Sequence, residues 1–132
     1  MKNNTNQKKT ILIIANCTWY LYNFRRELLE ELHKKDQNLI LLTTTDKYAK
    51  YIKKYFIKVN KLFLFRGSEN LILEFLTIVN IFYCFLRYKP NLVHNFTIKP
   101  SIYGGIVGRF LGTEKILNHI TGLGPSFFSQ SK

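Results

Sequence analysis

Short apolar runs of strand length, alternating with longer helix-length segments, constrain the fold of this chain more than any other feature. The runs are Thr10–Asn16, Asn38–Thr44, Ile57–Phe65, Leu92–Asn95 and Lys115–Ile120. The first is continuously apolar and rich in β-branched residues, the pattern of a strand covered on both faces. Strands that alternate with helices build βαβ units and a parallel sheet. The expectation is therefore a Rossmann-like three-layer α/β/α domain on a parallel sheet of about five strands.

The segments between the runs read as helices with recognisable ends. Asn23 is placed to cap a helix over Phe24 to Lys35, with Leu28, Leu29 and Leu32 on one face. Asp46 is placed to cap a short basic helix over Lys47 to Tyr55, and Arg66-Gly67-Ser68 reads as a turn. The segment Asn70 to Tyr88 is apolar on most of its circumference, with Glu74, Thr77, Asn80 and Arg87 in one narrow stripe, which predicts a nearly buried helix. Its apolar run is interrupted by Glu74 and Asn80 and falls short of a span of ~20 residues, so a transmembrane helix is not expected. Pro100 is suited to opening a helix that runs to Leu111, with Gly112 as its stop. Gly104, Gly108 and Gly112 recur every fourth residue, a spacing that predicts close packing of this helix on the sheet.

Composition bounds the function. At 132 residues and 46% hydrophobic content the chain is one globular domain, residues 10–132, behind a polar basic arm at residues 1–9. Net charge is +12, which suits a polyanionic partner, either an anionic membrane surface or nucleic acid. A general bias towards Lys, Asn and Ile accounts for the same charge without a partner. Cys17 and Cys84 match no metal or redox spacing and read as free thiols in a reducing cytosol. Asn16 and Thr18 interrupt the first apolar run and no cleavage site follows, so no signal peptide is expected and the expected location is cytoplasmic.

The residues that can carry chemistry gather where apolar strands end. Leu92-Val93 runs into His94, Asn95, Thr97 and Lys99, a cluster of imidazole, amide, hydroxyl and amine. In open α/β sheets, ligands bind in the crevice beyond the carboxyl ends of the strands. The turn after the first run, Asn16 to Tyr20, holds no glycine, which argues against a dinucleotide cofactor held in the usual way. Arg25 can reach a phosphate or carboxylate from there, or lie on the surface. Gly122 and Gly124 lie in a loop whose backbone N–H groups can face an anion or sugar, and a plain turn reads equally from them. His94 outranks His33, placed at a solvent-facing helix end, and His119, which reads as a core histidine as readily as a functional one. No metal-ligand cluster, Ser-His-Asp order or Walker loop is visible. Six lysines between Lys47 and Lys61 are interleaved with Tyr48, Tyr51, Tyr55 and Phe56. In the helix, Lys47, Lys50, Lys53, Lys54, Tyr51 and Tyr55 suit a membrane surface better than nucleic acid, for which no known motif is present.

Taken in order, Asn16 and Trp19, Asn23-Phe24-Arg25, Lys89 to Pro100 and Ile120-Thr121-Gly122-Leu123-Gly124 resemble the N-terminal domain of glycosyltransferase family 4, in the branch that builds bacterial capsule and O-antigen polysaccharides. The resemblance implies the N-terminal half of a GT-B fold and a metal-independent transfer with a nucleotide-sugar as donor substrate. It also implies a cleft shared with a C-terminal donor-binding domain and an acceptor that is often a lipid-linked glycan. By that likeness Asn16, Trp19, Asn23 and Arg25 would line the cleft near the donor diphosphate. His94, Asn95, Thr97 and Lys99 would sit by the acceptor and the transferring sugar, with His94 as the catalytic candidate. Thr121, Gly122 and Gly124 would close the cleft floor, although Pro125-Ser126 departs from the family pattern just after them. The resemblance thus implies as partners a C-terminal half, in the same gene or a separate chain, the glycan acceptor and the inner face of the cell membrane. A truncated gene product and half of a split enzyme both fit it. The competing expectation is a non-catalytic basic module for membrane surfaces or nucleic acid.

Overall fold

The computed structural model describes residues 8–35, 37–64 and 70–119. Five parallel strands form one sheet in the order β3-β2-β1-β4-β5. They are β1 (Thr10–Cys17), β2 (Asn38–Thr44), β3 (Lys58–Lys61), β4 (Leu92–Phe96) and β5 (Lys115–His119). Helices α1 (Thr18–Phe24) and α2 (Arg26–Lys34) cover one face, with the single turn α3 (Ala49–Ile52) and a 3-10 turn over Lys53–Tyr55. Helices α4 (Leu71–Tyr88) and α5 (Ile98–Phe110) cover the other. This is the Rossmann-like arrangement expected from the alternating pattern.

The continuous apolar runs follow from this layering, because alternate side chains enter different cores. Ile11, Ile13, Ala15, Leu39, Leu41 and Phe96 pack with Leu21, Leu29 and Ile52 beneath α1–α3. Leu12, Ile14, Ile40, Leu42 and Val93 pack with Ile81, Phe85 and Val107 beneath α4 and α5. Cys84 joins the second core, where burial pushes its thiol up to about 11. Gly104 and Gly108 set α5 close to the sheet. A Cβ on Gly104 would collide with the Asn95 side chain, and one on Gly108 would lie 2.7 Å from Ile116 Cδ1.

Three elements differ from the sequence reading for local physical reasons. The segment after β1 is helical from Thr18, because Asp46, 28 residues further on, accepts the Trp19 N–H at 3.0 Å and the Thr18 hydroxyl. Asn23 is consequently inside α1, where its amide donates to the Trp19 carbonyl at 2.9 Å instead of capping a helix. Helix α5 starts at Ile98, so Pro100 is its third residue, where a missing N–H still costs no intrahelical bond.

The third difference is α4. Only Thr77, Ile81, Cys84 and Phe85 are buried, whereas Leu71, Ile72, Phe75, Leu76, Val79, Tyr83 and Leu86 are exposed. Two members of the polar stripe face the protein, while Arg87 is exposed: the Thr77 hydroxyl donates to the Phe63 carbonyl, and Asn80 Oδ1 accepts the Phe63 N–H at 3.0 Å. The nearly buried helix expected from its apolar circumference is instead a helix with an apolar outer face. By length and composition alone α4 is also long and apolar enough to cross a membrane.

Candidate functional site: the crevice between β1 and β4

From β1 the chain winds outward through β2 and β3, then returns to place β4 on β1's other side, with β5 beyond it. The order of strand addition therefore reverses between β1 and β4, and the crevice lies beyond their carboxyl ends. Three buried polar atoms without a partner among the described residues belong to these two strand ends: Asn16 Oδ1, Asn95 Oδ1 and Thr97 Oγ1. A buried polar group left unpaired costs ~1–3 kcal/mol, so the three atoms mark strand ends whose polar groups are unsatisfied among the described residues. Asn95 is fully enclosed, with its amide donating to Asn118 Oδ1 at 2.9 Å and its oxygen against Gly104. Asn16 and Thr97 are half-buried, one on each side of the crevice.

Thr97 is also strained. It has φ 73° and ψ 178°, a region that glycine occupies and a β-branched residue avoids, at a cost of ~1–3 kcal/mol. Its position just before α5 leaves the first N–H groups of that helix, on Ile98 and Lys99, at the crevice. Its own N–H is tied to the His119 carbonyl at 3.0 Å.

The cluster from His94 to Lys99 does not converge on one point, because strand alternation divides it. His94 faces the α1–α2 side in mid-strand, paired in register with Ile13 and Leu117, and is 5% exposed. Asn95 faces the α5 side. Lys99 leaves the crevice for α4 and pairs with Glu74 at 2.8 Å. That bond and a second from the Tyr103 hydroxyl hold the Glu74 carboxyl below its ordinary value, and the bond to Glu74 pushes Tyr103 up to about 12.

On the α1–α2 side the structure gathers a group that only partly follows the sequence reading. His94 Nδ1 lies 2.9 Å from His119 Nε2, and the two rings and Phe96 stack nearly parallel, with Phe96 and His119 centroids 4.6 Å apart. The Arg25 guanidinium covers the Phe96 ring at 5.3 Å and its Nε donates to the Tyr20 hydroxyl at 3.3 Å. Burial, followed by the neighbouring His119 and Lys115, pushes His94 down to about 4. Burial and the Arg25 charge lower His119 as well. Both imidazoles are therefore neutral near pH 7 and share one proton across the 2.9 Å contact, which couples their tautomers. His119 is the half-exposed member of the pair and His94 the buried one. Phe96 and His119 were not singled out as site residues in the sequence. The signal for His119 is its offset from His94, visible only once β5 is placed in register with β4.

Trp19 is half-exposed at the start of α1, edge-on to the exposed ring of Phe24 with centroids 5.5 Å apart. Thr121, Gly122 and Gly124 lie outside the described residues. The basic segment departs from an amphipathic helix: it is one α-helical turn and a 3-10 turn. Lys47, Lys50 and Lys54 lie over the rings of Tyr48, Tyr51 and Tyr55, and Tyr55 is buried with its hydroxyl on Glu30. Lys53 belongs to the same 3-10 turn. Among the described residues no cluster of three or more His, Cys, Asp or Glu side chains could hold a metal ion.

The profile of the glycosyl transferase 4-like family matches residues 10–132. The chain belongs to that family. No curated protein matches the sequence significantly. Among solved structures, MurG of Acinetobacter baumannii superposes with a TM-score of 0.66 at 16% identity over 93% of this chain and 39% of its own. A glycosyltransferase of Rickettsia africae gives 0.65 at 15% identity over 94% of this chain and 33% of its own. A UDP-N-acetylglucosamine 2-epimerase gives 0.62 at 11% identity over 93% and 34%. These likenesses establish the fold, which is that of the N-terminal half of GT-B glycosyltransferases. The chain spans 33–39% of the length of these three solved chains.

Proposed function

We propose that this domain forms the acceptor-side wall of a sugar-transfer cleft, working with a C-terminal domain that binds the nucleotide-sugar. The observation that carries the reading is the pair of buried polar atoms without a partner among the described residues, Asn16 Oδ1 and Thr97 Oγ1, on half-buried residues at the two sides of the β1–β4 crevice of a glycosyl transferase 4-like chain. Once the two side chains rotate towards the crevice, a sugar hydroxyl can donate to Asn16 Oδ1 and accept from the Thr97 O–H, which removes both desolvation penalties at once. In this reading His119 meets the acceptor and His94 is a positioning residue behind it. Trp19 offers an apolar edge to a sugar ring, and Arg25 keeps a positive charge beside the crevice, suited to a diphosphate. The reaction needs a nucleotide-sugar donor and, on this reading, no metal. The acceptor is a lipid-linked glycan in cell-surface polysaccharide synthesis of the capsule or O-antigen type, handled at the inner face of the cell membrane.

The test is co-expression of the chain with C-terminal donor-binding halves of the family, followed by transfer from labelled nucleotide-sugars to extracted lipid-linked acceptors. Label should enter the lipid fraction only when both halves are present. No turnover by any such pair, with both halves folded, would contradict the proposal. An unchanged pH profile after His94→Gln would remove the imidazole pair from it.

A further inference from the structure

We infer that the outer face of α4 and α5 is a bilayer-contacting surface, on which the protein lies with α4 parallel to an anionic leaflet. A helix on the surface of a water-soluble domain turns polar residues outward. Here the arrangement is inverted. Ile72, Leu76, Val79, Tyr83 and Leu86 follow one another at intervals of four and three residues and make a single exposed stripe, widened by Leu71 and Phe75. On α5, Ile98, Ile102, Ile106 and Phe110 recur every fourth residue and are likewise exposed, opposite Gly104 and Gly108, which face the sheet. The two helices cover the same face of the sheet and meet through Phe82 and Phe110, ring centroids 6.3 Å apart. An apolar patch of this breadth marks an interaction surface.

The occupant follows from charge and from the way α4 is held. Glu74 is the one acidic residue of α4 and α5, and its carboxylate is occupied by Lys99 and Tyr103, so the two helices themselves carry no unpaired negative charge; exposed Glu114 follows α5 beside Arg109 and Lys89. Exposed Arg87, Lys89 and Arg109 stand at the ends of the two helices, and the whole chain carries +12. Apolar side chains entering the acyl boundary with cations at headgroup level is the arrangement of an interfacial helix. Spanning is excluded by the inner stripe. Thr77 and Asn80 are tied to the Phe63 backbone, and Ile81, Cys84 and Phe85 belong to the core, so α4 cannot leave the sheet without unfolding it. This surface lies away from the Lys47–Tyr55 segment, whose lysines already cover tyrosine rings. The inference does not rest on sugar transfer, since its test needs neither donor nor companion half.

The test is flotation of the 132-residue chain with vesicles of phosphatidylcholine, alone or mixed equally with phosphatidylglycerol. The wild-type chain should float with the mixed vesicles. The double substitution Phe75→Glu and Val79→Glu, at positions already open to water, should lower the bound fraction at least about tenfold. The triple substitution Lys50→Gln, Lys53→Gln and Lys54→Gln should leave it within about twofold. A second measurement does not depend on a loss. With Val79→Trp in a Trp19→Phe background, the indole should be quenched by lipids brominated in their acyl chains, whereas Tyr51→Trp in the same background should not. The inference is overturned if the wild-type chain stays below the vesicles. It is equally overturned if the lysine triple rather than the α4 pair abolishes flotation, or if light scattering shows a vesicle-independent dimer that the α4 pair dissolves.

Discussion

The two helical layers of this domain solve the same packing problem in opposite ways. On the α1–α3 side the helices are short, the surface is basic and aromatic, and the cations lie over tyrosine rings: Arg26 over Tyr22 at 5.0 Å, Lys50 over Tyr51 at 5.1 Å. On the α4–α5 side the helices are long, and the polar groups of α4 turn inward while its aliphatic side chains turn out. The first layer pairs its cations with its own tyrosine rings. The second leaves apolar surface that water does not stabilise. The difference teaches that a strongly apolar helix is not thereby a core helix: what its few polar residues bond to decides which way it faces.

The comparison can be broken within a single helix, and the largest effect is expected there. Gly104→Ala forces a Cβ into Asn95 on the sheet side of α5 and should cost ~2–3 kcal/mol in chemical denaturation, in the range of overpacked cores. Ile106→Ser on the outer side of the same helix should stay within ~0.5 kcal/mol. Equal losses at the two positions would mean that the outer face is packed after all.

The imidazole pair gives a pH test on the other layer. His94 titrates at about 4 in the folded protein and near 6.5 when unfolded, so between these values the unfolded chain binds more protons. Its contribution to stability is complete above pH 6.5 and is lost as pH falls towards 4. His94→Gln should remove part of the acid-side slope of Tm, up to ~2–3 kcal/mol between pH 7 and pH 4. An identical slope in the variant would show that the buried neutral imidazole is not what the acid limb reports.

How much of this was legible beforehand depends on the range of the interaction. The strands were legible because β1 and β2 send alternate aliphatic side chains into two cores, a property of consecutive residues. The crevice was legible because Asn16, Asn95 and Thr97 follow apolar runs directly. Helix α1 was not, because its N-terminal cap is Asp46, supplied from the far side of β2. The split of the His94–Lys99 cluster was not legible either, since it depends on which neighbours each face of β4 meets. The outward face of α4 is not legible for a related reason: Phe63, which claims Thr77 and Asn80, lies outside the helix's own periodicity.

Smaller effects sharpen the contrast further. Asp46→Ala removes acceptors for the Trp19 and Tyr48 N–H groups and should cost ~1–2 kcal/mol, the scale of a lost helix cap, with no change in vesicle binding. Thr97→Gly relieves the strain at φ 73° and should raise stability by ~1 kcal/mol while weakening transfer, because the hydroxyl is lost with the strain. A variant that is both more stable and fully active would show that this hydroxyl has no ligand.

The most direct measurement of the account is transfer to a soluble acceptor by the chain paired with a donor-binding half, comparing Asn16→Ala with the α4 pair Phe75→Glu and Val79→Glu. The account predicts that Asn16→Ala lowers transfer at least about tenfold while vesicle flotation is kept, and that the α4 pair does the reverse. Transfer that survives Asn16→Ala unchanged, or that falls with the α4 pair on a soluble acceptor, would contradict the division of labour between crevice and outer face.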